Sequence, residues 1–528
     1  MLEKIVLKNY KSFVDTTIVF NERRNIFVGE NGVGKSSLLQ AIRLVLSGSY
    51  SQIDSVGLES LFNAKVVSDF LANKPENSKL PELIIELYFA KKYVAPNSYE
   101  INGKYNTELK ECDGLQLKIS PNREEFSEEI NESLSHGDSI FPFDYYKAEF
   151  RTFANKGYNN YQKRHKLKSA FIDTTSMNQT VATKHYVEQL FTNQTGKKKQ
   201  KISHDFRELA KGFSQDIYKN YGFEEPKDDY KIKVRSTTEK HFSDILTAHK
   251  NEISIENLGL GERVLLGVKS SIISTSEDVQ IVLIEEPENH LSHLNVHKLI
   301  EIIEDGDEDK QTFIATHSNM IASRLELKNL IIVDKGGKVI TLGELTPKTS
   351  RFFAKAPNTN VLNFILAKKA ILVEGDAEYI LMEKFYEEQY GLKPFDDDVA
   401  IISCGGKTFK RYLEIAKILN KKVAIITDND KDFAKNITEF YSDFHEENIR
   451  ICSDENDENY TFEVCLYNAN KDFYDTTFAK PQMTNGVKSY LLTNKAEAAF
   501  RVLEEYPKNY VVPTYITEAI TWISQTSE

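Results

Sequence analysis

Cysteine is scarce in this chain: four residues in 528, Cys112, Cys404, Cys452 and Cys465, none of them in a CxxC pair. That scarcity excludes a disulfide framework and a cysteine-based zinc site, and it fits a reduced, cytoplasmic setting. Long apolar runs are missing too. No stretch approaches the roughly 18–20 residues that span a bilayer, and Met1-Leu2-Glu3-Lys4 opens a strand pattern in place of a leader. Positive charge is not in excess. A net charge of −12 argues against general adhesion of the whole chain to nucleic acid, yet it permits a local basic groove and fits carboxylates gathered at a metal site. Sustained heptads are absent, which excludes a long coiled coil. What is present is an apolar share of 40% with 11% aromatics, a globular composition in a chain long enough for two or three domains.

Apolar alternation through Ile5 and Leu7 in KIVLKNYKSF (4–13) predicts a half-buried strand. A second strand, RNIFV (24–28), runs into GENGVGKSS (29–37). This is the GxxxxGK[ST] spacing, with Gly29, Gly34, Lys35 and Ser36 in place and Asn31, Gly32 and Ser37 in the same loop. Leu38, Leu39, Ile42 and Leu46 then predict a helix. Strand, glycine loop and helix make a phosphate cradle, because backbone amides surround the anion and the helix N-terminus adds a favourable field. Lys35 would reach the β- and γ-phosphates and Ser36 would ligate magnesium.

The rest of a nucleotide hydrolase follows in order. VQIVLIEEPENHLSH (279–293) is an apolar strand ending in Glu285, suited to support the ion, and Glu286, suited to orient water as a base. QTFIATHSNM (311–320) ends another strand at Thr316-His317, where an imidazole can sense a γ-phosphate. ENLGLGERVLL (256–266) sets Gly259 and Gly261 immediately before a helical stretch, a second phosphate-binding helix start. That loop and helix resemble the signature element of ABC-type ATPases, which caps the nucleotide of a partner subunit and so implies paired copies.

After a connector with Pro347 and Pro357 (338–360), the pattern restarts. Strand 370–373 meets Glu374, a helix over 377–387 follows, and strands 399–403 and 423–427 alternate with a further helix. Such alternation predicts a parallel sheet covered on both faces, with functional groups beyond its carboxyl edge. Glu374 and Asp428 each stand at a strand end. Asp430, two residues on, shares a face of extended backbone with Asp428, and Glu378 is at i+4 from Glu374. A solvated acidic edge would explain any one pair. Four converging carboxylates would repel one another unless a cation neutralised them; magnesium suits oxygen ligands, and two such ions suit in-line attack on a phosphodiester.

LVEG (372–375) with the later DND (428–430) resembles the Toprim domain of topoisomerases, primases and a set of nucleases. The whole order resembles the OLD (overcoming lysogenisation defect) family of ATP-dependent endonucleases, over nearly the entire chain except roughly 155–245. The resemblance implies an α/β protein: an ABC-type P-loop ATPase in two parts, 1–154 and 251–360, split by a mostly helical insertion, 155–250, that serves dimerisation. A Toprim domain with a Rossmann-like parallel sheet then occupies 361–528. It implies a further metal-site glutamate, Glu463, and an essential lysine, Lys495, alongside Glu374, Asp428 and Asp430 as catalytic groups. YVVPTYITEAI (510–520) resembles the closing segment. Lys407 in SCGGKTF (403–409) is either a DNA-phosphate contact or a surface lysine. The cofactors implied are ATP and Mg2+, with Mn2+ able to substitute at the nuclease site. The partners implied are DNA, a second copy of the chain and an operon-encoded protein or nucleic acid, in defence against phage or mobile DNA.

Two other readings stay open on the residues alone. One is an ATPase-driven nucleic-acid sensor or assembly protein with an inactive Toprim. The other, a topoisomerase, needs a tyrosine nucleophile on a separate DNA-gate domain, and no segment offers one. Within the insertion, HDFRELAKGFSQDIY (204–218) places Phe206, Leu209, Phe213 and Ile217 on one helix face, while GKKKQK (196–201) reads as a solvated loop or a nucleic-acid contact.

Overall fold

The computed structural model describes residues 1–73, 76–90, 98–135, 140–173, 187, 196–221, 246–273, 279–306, 310–356, 360–478 and 486–525. It divides into two units, Met1–His317 with Ile332–Val339, and Ser318–Ile331 with Ile340–Glu528.

The first unit holds a two-stranded sheet, His249–Lys250 with Ile253–Ser254, and two large ones. In one, Phe13–Val19, Leu2–Tyr10, Leu83–Phe89 and Cys112–Pro121 run antiparallel in that order, and Tyr146–Thr152 and Asn102–Gly103 both pair with Cys112–Pro121. In the other, Arg24–Val28, Gln311–Ala315, Val279–Glu285 and Lys168–Asp173 run parallel in that order. Its central strands are continuous apolar runs, as burial on both faces requires: Ile26, Phe27 and Val28 beside Phe313 and Ile314, then Ile281 to Ile284, all shielded from solvent. The helix Lys35–Ser47 lies between the two sheets and packs against strands of both. Leu38, Leu39, Ala41, Ile42 and Val45 are accordingly buried around most of its circumference.

Two expectations change here. The strand Lys168–Asp173 falls inside the span read as an insertion, yet it extends the parallel sheet, with Asp173 in register with Glu285. As a half-exposed edge strand beginning Lys-Ser, it lacks the apolar run that marks the central strands. The first part of the ATPase fold therefore continues past residue 154. GKKKQK, read as a loop, forms the opening turns of the helix Gly196–Tyr221. On that helix Leu209 and Phe213 are exposed, and the Ile217 side chain lies outside the described residues.

The second unit is built on a four-stranded parallel sheet in the order Val399–Ser403, Lys369–Val373, Lys422–Ile426, Ile449–Cys452. The first strand in sequence is thus internal, and the chain builds outward from it on both sides, so a switch point falls beside its carboxyl end. One face packs Leu381, Met382 and Phe385 of the helix Asp376–Tyr390 with Ile516, Ile520 and Ile523 of the helix Thr514–Ser524. The expected connector contains the helix Pro347–Lys355, and the helix Val361–Leu366 follows it directly; Pro357 lies outside the described residues. Pro347 occupies the first turn, where its missing N–H costs no hydrogen bond, and Thr346 caps it by accepting from Thr349 N–H at 3.3 Å. Among the described residues no helix is long and apolar enough to cross a membrane.

Two candidate active sites

The first site gathers at the carboxyl ends of Arg24–Val28, Gln311–Ala315 and Val279–Glu285. The phosphate loop is shaped by glycines that nothing else could replace. A Cβ on Gly29 would stand 2.3 Å from the Val333 carbonyl oxygen, and one on Gly34, at φ 118°, 2.4 Å from Ser12 Oγ. Gly32 also takes a positive φ, 77°, with Asn31 exposed beside it, and the Ser37 carbonyl accepts the Tyr10 hydroxyl at 3.1 Å. Lys35 is buried and donates to the carbonyls of Gly29 and Glu30 at 2.9 and 2.8 Å. Burial pulls its pKa down, against the opposing fields of Glu286 and Glu288. The Lys35→Ala variant is expected to lose ATP binding while keeping its melting temperature within a few degrees, since the ammonium serves the loop and not the apolar core. Isothermal titration with ATP checks this, and unchanged affinity would contradict it.

Glu285 ends its strand with its carboxyl raised in pKa by burial, an effect opposed by a hydrogen bond from Ser36 and reinforced by Asp173 and Glu286. Ser36 and Glu285 thus meet, as magnesium ligation requires. Glu286 follows in a left-handed turn, φ 42°, held by its N–H on the Ala315 carbonyl at 2.8 Å. Its Oε1 is 3.3 Å from His317 Nε2, and its Oε2 accepts Asn289 Nδ2 at 2.7 Å. Glu288, which the sequence reading passed over, accepts Thr316 Oγ1 at 2.6 Å and the His317 N–H at 2.7 Å. It pins the turn that carries the imidazole to the loop that carries the base. Asp173 was also missed. Gly259 precedes the helix Leu260–Ile273, but Gly261 lies within its first turn and not before it; a Cβ there would be 3.1 Å from the His290 carbonyl.

The second site lies at the carboxyl edge of the other parallel sheet. Glu374 follows Val373; its carbonyl accepts the Gly406 N–H at 2.8 Å, and its buried Oε2 makes no hydrogen bond. Burial raises its pKa, with Lys407 opposing and Asp430 adding to the rise. Glu378, buried in the first turn of Asp376–Tyr390, is pushed up to about 7, chiefly by burial. Asp428 is pushed up to about 8 by burial and then by Glu374, Glu378 and Glu463, although its Oδ1 accepts the Phe462 N–H at 2.7 Å. Glu463 is buried 3.0 Å from Lys495 Nζ, and its Oε2 makes no hydrogen bond. Burial works against the Lys495 ammonium, but Glu463, Asp428 and Glu378 outweigh it and hold its pKa above the ordinary value.

Two geometric expectations are corrected. Glu374 does not share a helix with Glu378, because the extended residue Gly375 intervenes and the helix begins at Asp376. The carboxylates approach because the helix start folds Glu378 back over Gly375, where a Cβ would be 3.4 Å from Glu378 Oε2. Nor is Asp430 on extended backbone beside Asp428. It takes φ 49°, turns outward and forms an ion pair with Lys407. Among the described residues no three His, Cys, Asp or Glu side chains are gathered closely enough to hold an ion as they stand. The donor set nevertheless fits a divalent cation: acceptor-only oxygens, buried, two of them without any hydrogen bond, and mutually repelling.

The same shifts carry a stability consequence. A carboxyl raised in the folded state holds a proton that the unfolded chain releases near its ordinary pKa, so folding stability falls as pH rises from about 4 through about 8. Chelator-treated protein is expected to melt lower at about pH 9 than at about pH 6, and Asp428→Asn should recover roughly 2–4 °C at the higher pH. A variant with the same pH dependence as the parent would show that Asp428 is not the group responsible.

Residues 1–322 match the AAA ATPase domain, more than half of the chain, and the protein belongs to that family. Residues 365–430 match the TOPRIM domain of the overcoming lysogenization defect protein-like group, so the chain joins an ATPase domain to an OLD-like TOPRIM domain. It is 25% identical over 186 residues to the OLD nuclease of Thermus scotoductus, an alignment covering 33% of this chain and 35% of that protein. It is 26% identical over 235 residues to endonuclease GajA of Bacillus cereus, covering 42% and 40%. The chain thus spans well under half of the length of these relatives. The C-terminal region of the Xanthomonas campestris OLD protein aligns at 18% identity and a TM-score of 0.22, covering 30% of this chain and 95% of that one.

Proposed function

We propose that this protein is an ATP-dependent, metal-dependent DNA endonuclease of the OLD type, in which the nucleotide state of the ATPase regulates the TOPRIM nuclease. The observation that carries the reading is the buried trio Glu378, Asp428 and Glu463, with half-buried Glu374 and the Lys495 ammonium beside it, on one chain with a complete phosphate-loop site. At the first site Lys35 binds the β- and γ-phosphates, Ser36 and Glu285 hold Mg2+, Glu286 takes the proton of the attacking water, and His317 orients that base. Gly259 and Gly261 cap the nucleotide of a second copy, which makes the working form a homodimer or higher oligomer. At the second site Glu374, Glu378, Asp428, Asp430 and Glu463 hold Mg2+, for which Mn2+ can substitute. Those ions, when bound, supply charge stabilisation and a water of lowered pKa. Lys495 stabilises the developing charge on the phosphate or protonates the leaving oxygen, and Lys407 contacts the DNA backbone.

The division into a first ATPase segment that runs through the strand Lys168–Asp173, a second around 251–360, a dimerisation element inserted between them and a TOPRIM unit from about residue 361 belongs to the same proposal. So does a cytoplasmic role in defence against phage or mobile DNA, with an operon-encoded partner. Four cysteines that are all free thiols accord with a reducing compartment. The direct test is incubation of the protein with plasmid, linear and single-stranded DNA in Mg2+ or Mn2+, with and without ATP. ATP turnover without cleavage of any substrate would favour the alternative, a nucleic-acid sensor or assembly ATPase.

A further inference from the structure

Two lysines beside the second site pair with none of its carboxylates. Lys495 stands on Glu463 and Lys407 on Asp430. Lys431 and Lys488 instead share one aromatic ring, with ammoniums 4.5 and 5.5 Å from the centroid of Tyr460. Lys431 is exposed and Lys488 half-buried, so both ammoniums keep donors that an anion approaching the ring can accept from.

The ring is fixed relative to the metal-site carboxylates by its own backbone. The Tyr460 carbonyl accepts the Asp430 N–H at 3.2 Å. Thr461, the next residue, caps the helix Phe462–Ala469 that carries Glu463, and the Phe462 N–H meets Asp428 at 2.7 Å. Asn429, 1% exposed, donates to the carbonyls of Asp454 and Asn456 at 2.8 and 3.0 Å and accepts the Lys431 N–H at 2.9 Å. This stitching holds Asp430 and Lys431 at φ 49° and 69°, a conformation that non-glycine residues keep only where their surroundings enforce it. The enforced turn sends one side chain, Asp430, outward to Lys407 and the next, Lys431, over the ring.

We propose that Tyr460, Lys431 and Lys488 form a nucleotide platform beside the cleavage site, taking an unpaired base on the ring and the phosphates flanking it on the two ammoniums. The proposal rests on the nuclease reading. On binding, the base replaces an ammonium over the ring, and the ammonium exchanges a cation–ring contact for a charge-assisted bond to phosphate. Aromatic stacking accepts any base, so the platform imposes no sequence. In a duplex both faces of every internal base are already stacked, so the platform selects a strand that is single, frayed or distorted at that nucleotide.

Fluorescence anisotropy of the full chain with a labelled single-stranded oligonucleotide and its matching duplex, in Ca2+, tests this. Tyr460→Ala is expected to weaken single-strand binding at least about fivefold and duplex binding far less, while Tyr460→Phe stays near wild type. Lys431→Gln with Lys488→Gln should flatten the dependence of log affinity on log salt by about 1.4, two phosphates at about 0.7 each. If Tyr460→Ala fails to fold, the Phe and double-lysine variants carry the test. Equal weakening of both DNA forms, or an unchanged salt slope, overturns the platform and leaves the nuclease reading standing. A wild-type chain that binds neither oligonucleotide overturns both.

Discussion

Asp428→Ala is expected to lower DNA cleavage by several orders of magnitude while ATP hydrolysis stays near that of the parent. The carboxylate is buried, accepts the Phe462 N–H, and sits in the field of Glu374, Glu378 and Glu463. Removing it takes away a cation ligand, and with it the charge stabilisation that metal-assisted hydrolysis depends on. It also removes a carboxyl whose burial and neighbours disfavour its charge, so the chelator-treated variant should be no less stable than the parent near neutral pH. Lys35, Glu286 and His317 belong to a different sheet in a different unit, which is why ATP turnover should survive. Glu374→Ala and Lys495→Ala should behave alike. Plasmid nicking and phosphate release, measured on the same preparations, decide the matter. Normal cleavage by all three variants would take the nuclease out of the TOPRIM unit; loss of ATP turnover in folded variants would refute two separate chemistries.

Glu286→Gln should bind ATP with near-parental affinity and hydrolyse it at least about a hundredfold more slowly, the usual cost of losing a positioned base. Ser36 and Glu285 keep their mutual hydrogen bond in this variant, and Lys35 keeps its place in the loop. The amide still accepts through its oxygen, so the contact with Asn289 can persist while proton abstraction cannot. Trapped in its ATP-bound form, the variant should shift toward a paired species in ultracentrifugation. Parental turnover would move the base role to another acid, with Glu288 the candidate, since adjacent Glu285 meets Ser36 at the ion site.

The parts of both sites that lie within one local stretch could be read directly. GENGVGKSS (29–37) shows its strand, loop and helix in a single window, and strand-end acids such as Glu285, Glu374 and Asp428 are marked by the apolar runs before them. What escaped needed information from elsewhere in the chain. Asp173 ends an edge strand whose polar start hides its pairing with Val279–Glu285. Glu288 acquires meaning only when folding brings Thr316 and His317 to it, although a third acid in EEPEN was the available signal. Asp430 was assigned by strand periodicity, which stops applying once the backbone turns left-handed. Periodicity arguments hold inside regular elements and lapse one or two residues beyond them, where both sites keep their reactive groups.

The helix Lys35–Ser47 packs against strands of both sheets in the first unit. An element that serves as interior for two layers leaves neither with an interior of its own, so the layers cannot melt separately. The antiparallel layer, which carries no chemical motif, is then an obligate part of the cooperative unit that presents Lys35. Slow amide exchange should extend through Leu83–Phe89 and Cys112–Pro121 as one block with the strands that end at the nucleotide, and ligand binding at the loop should protect that whole block together.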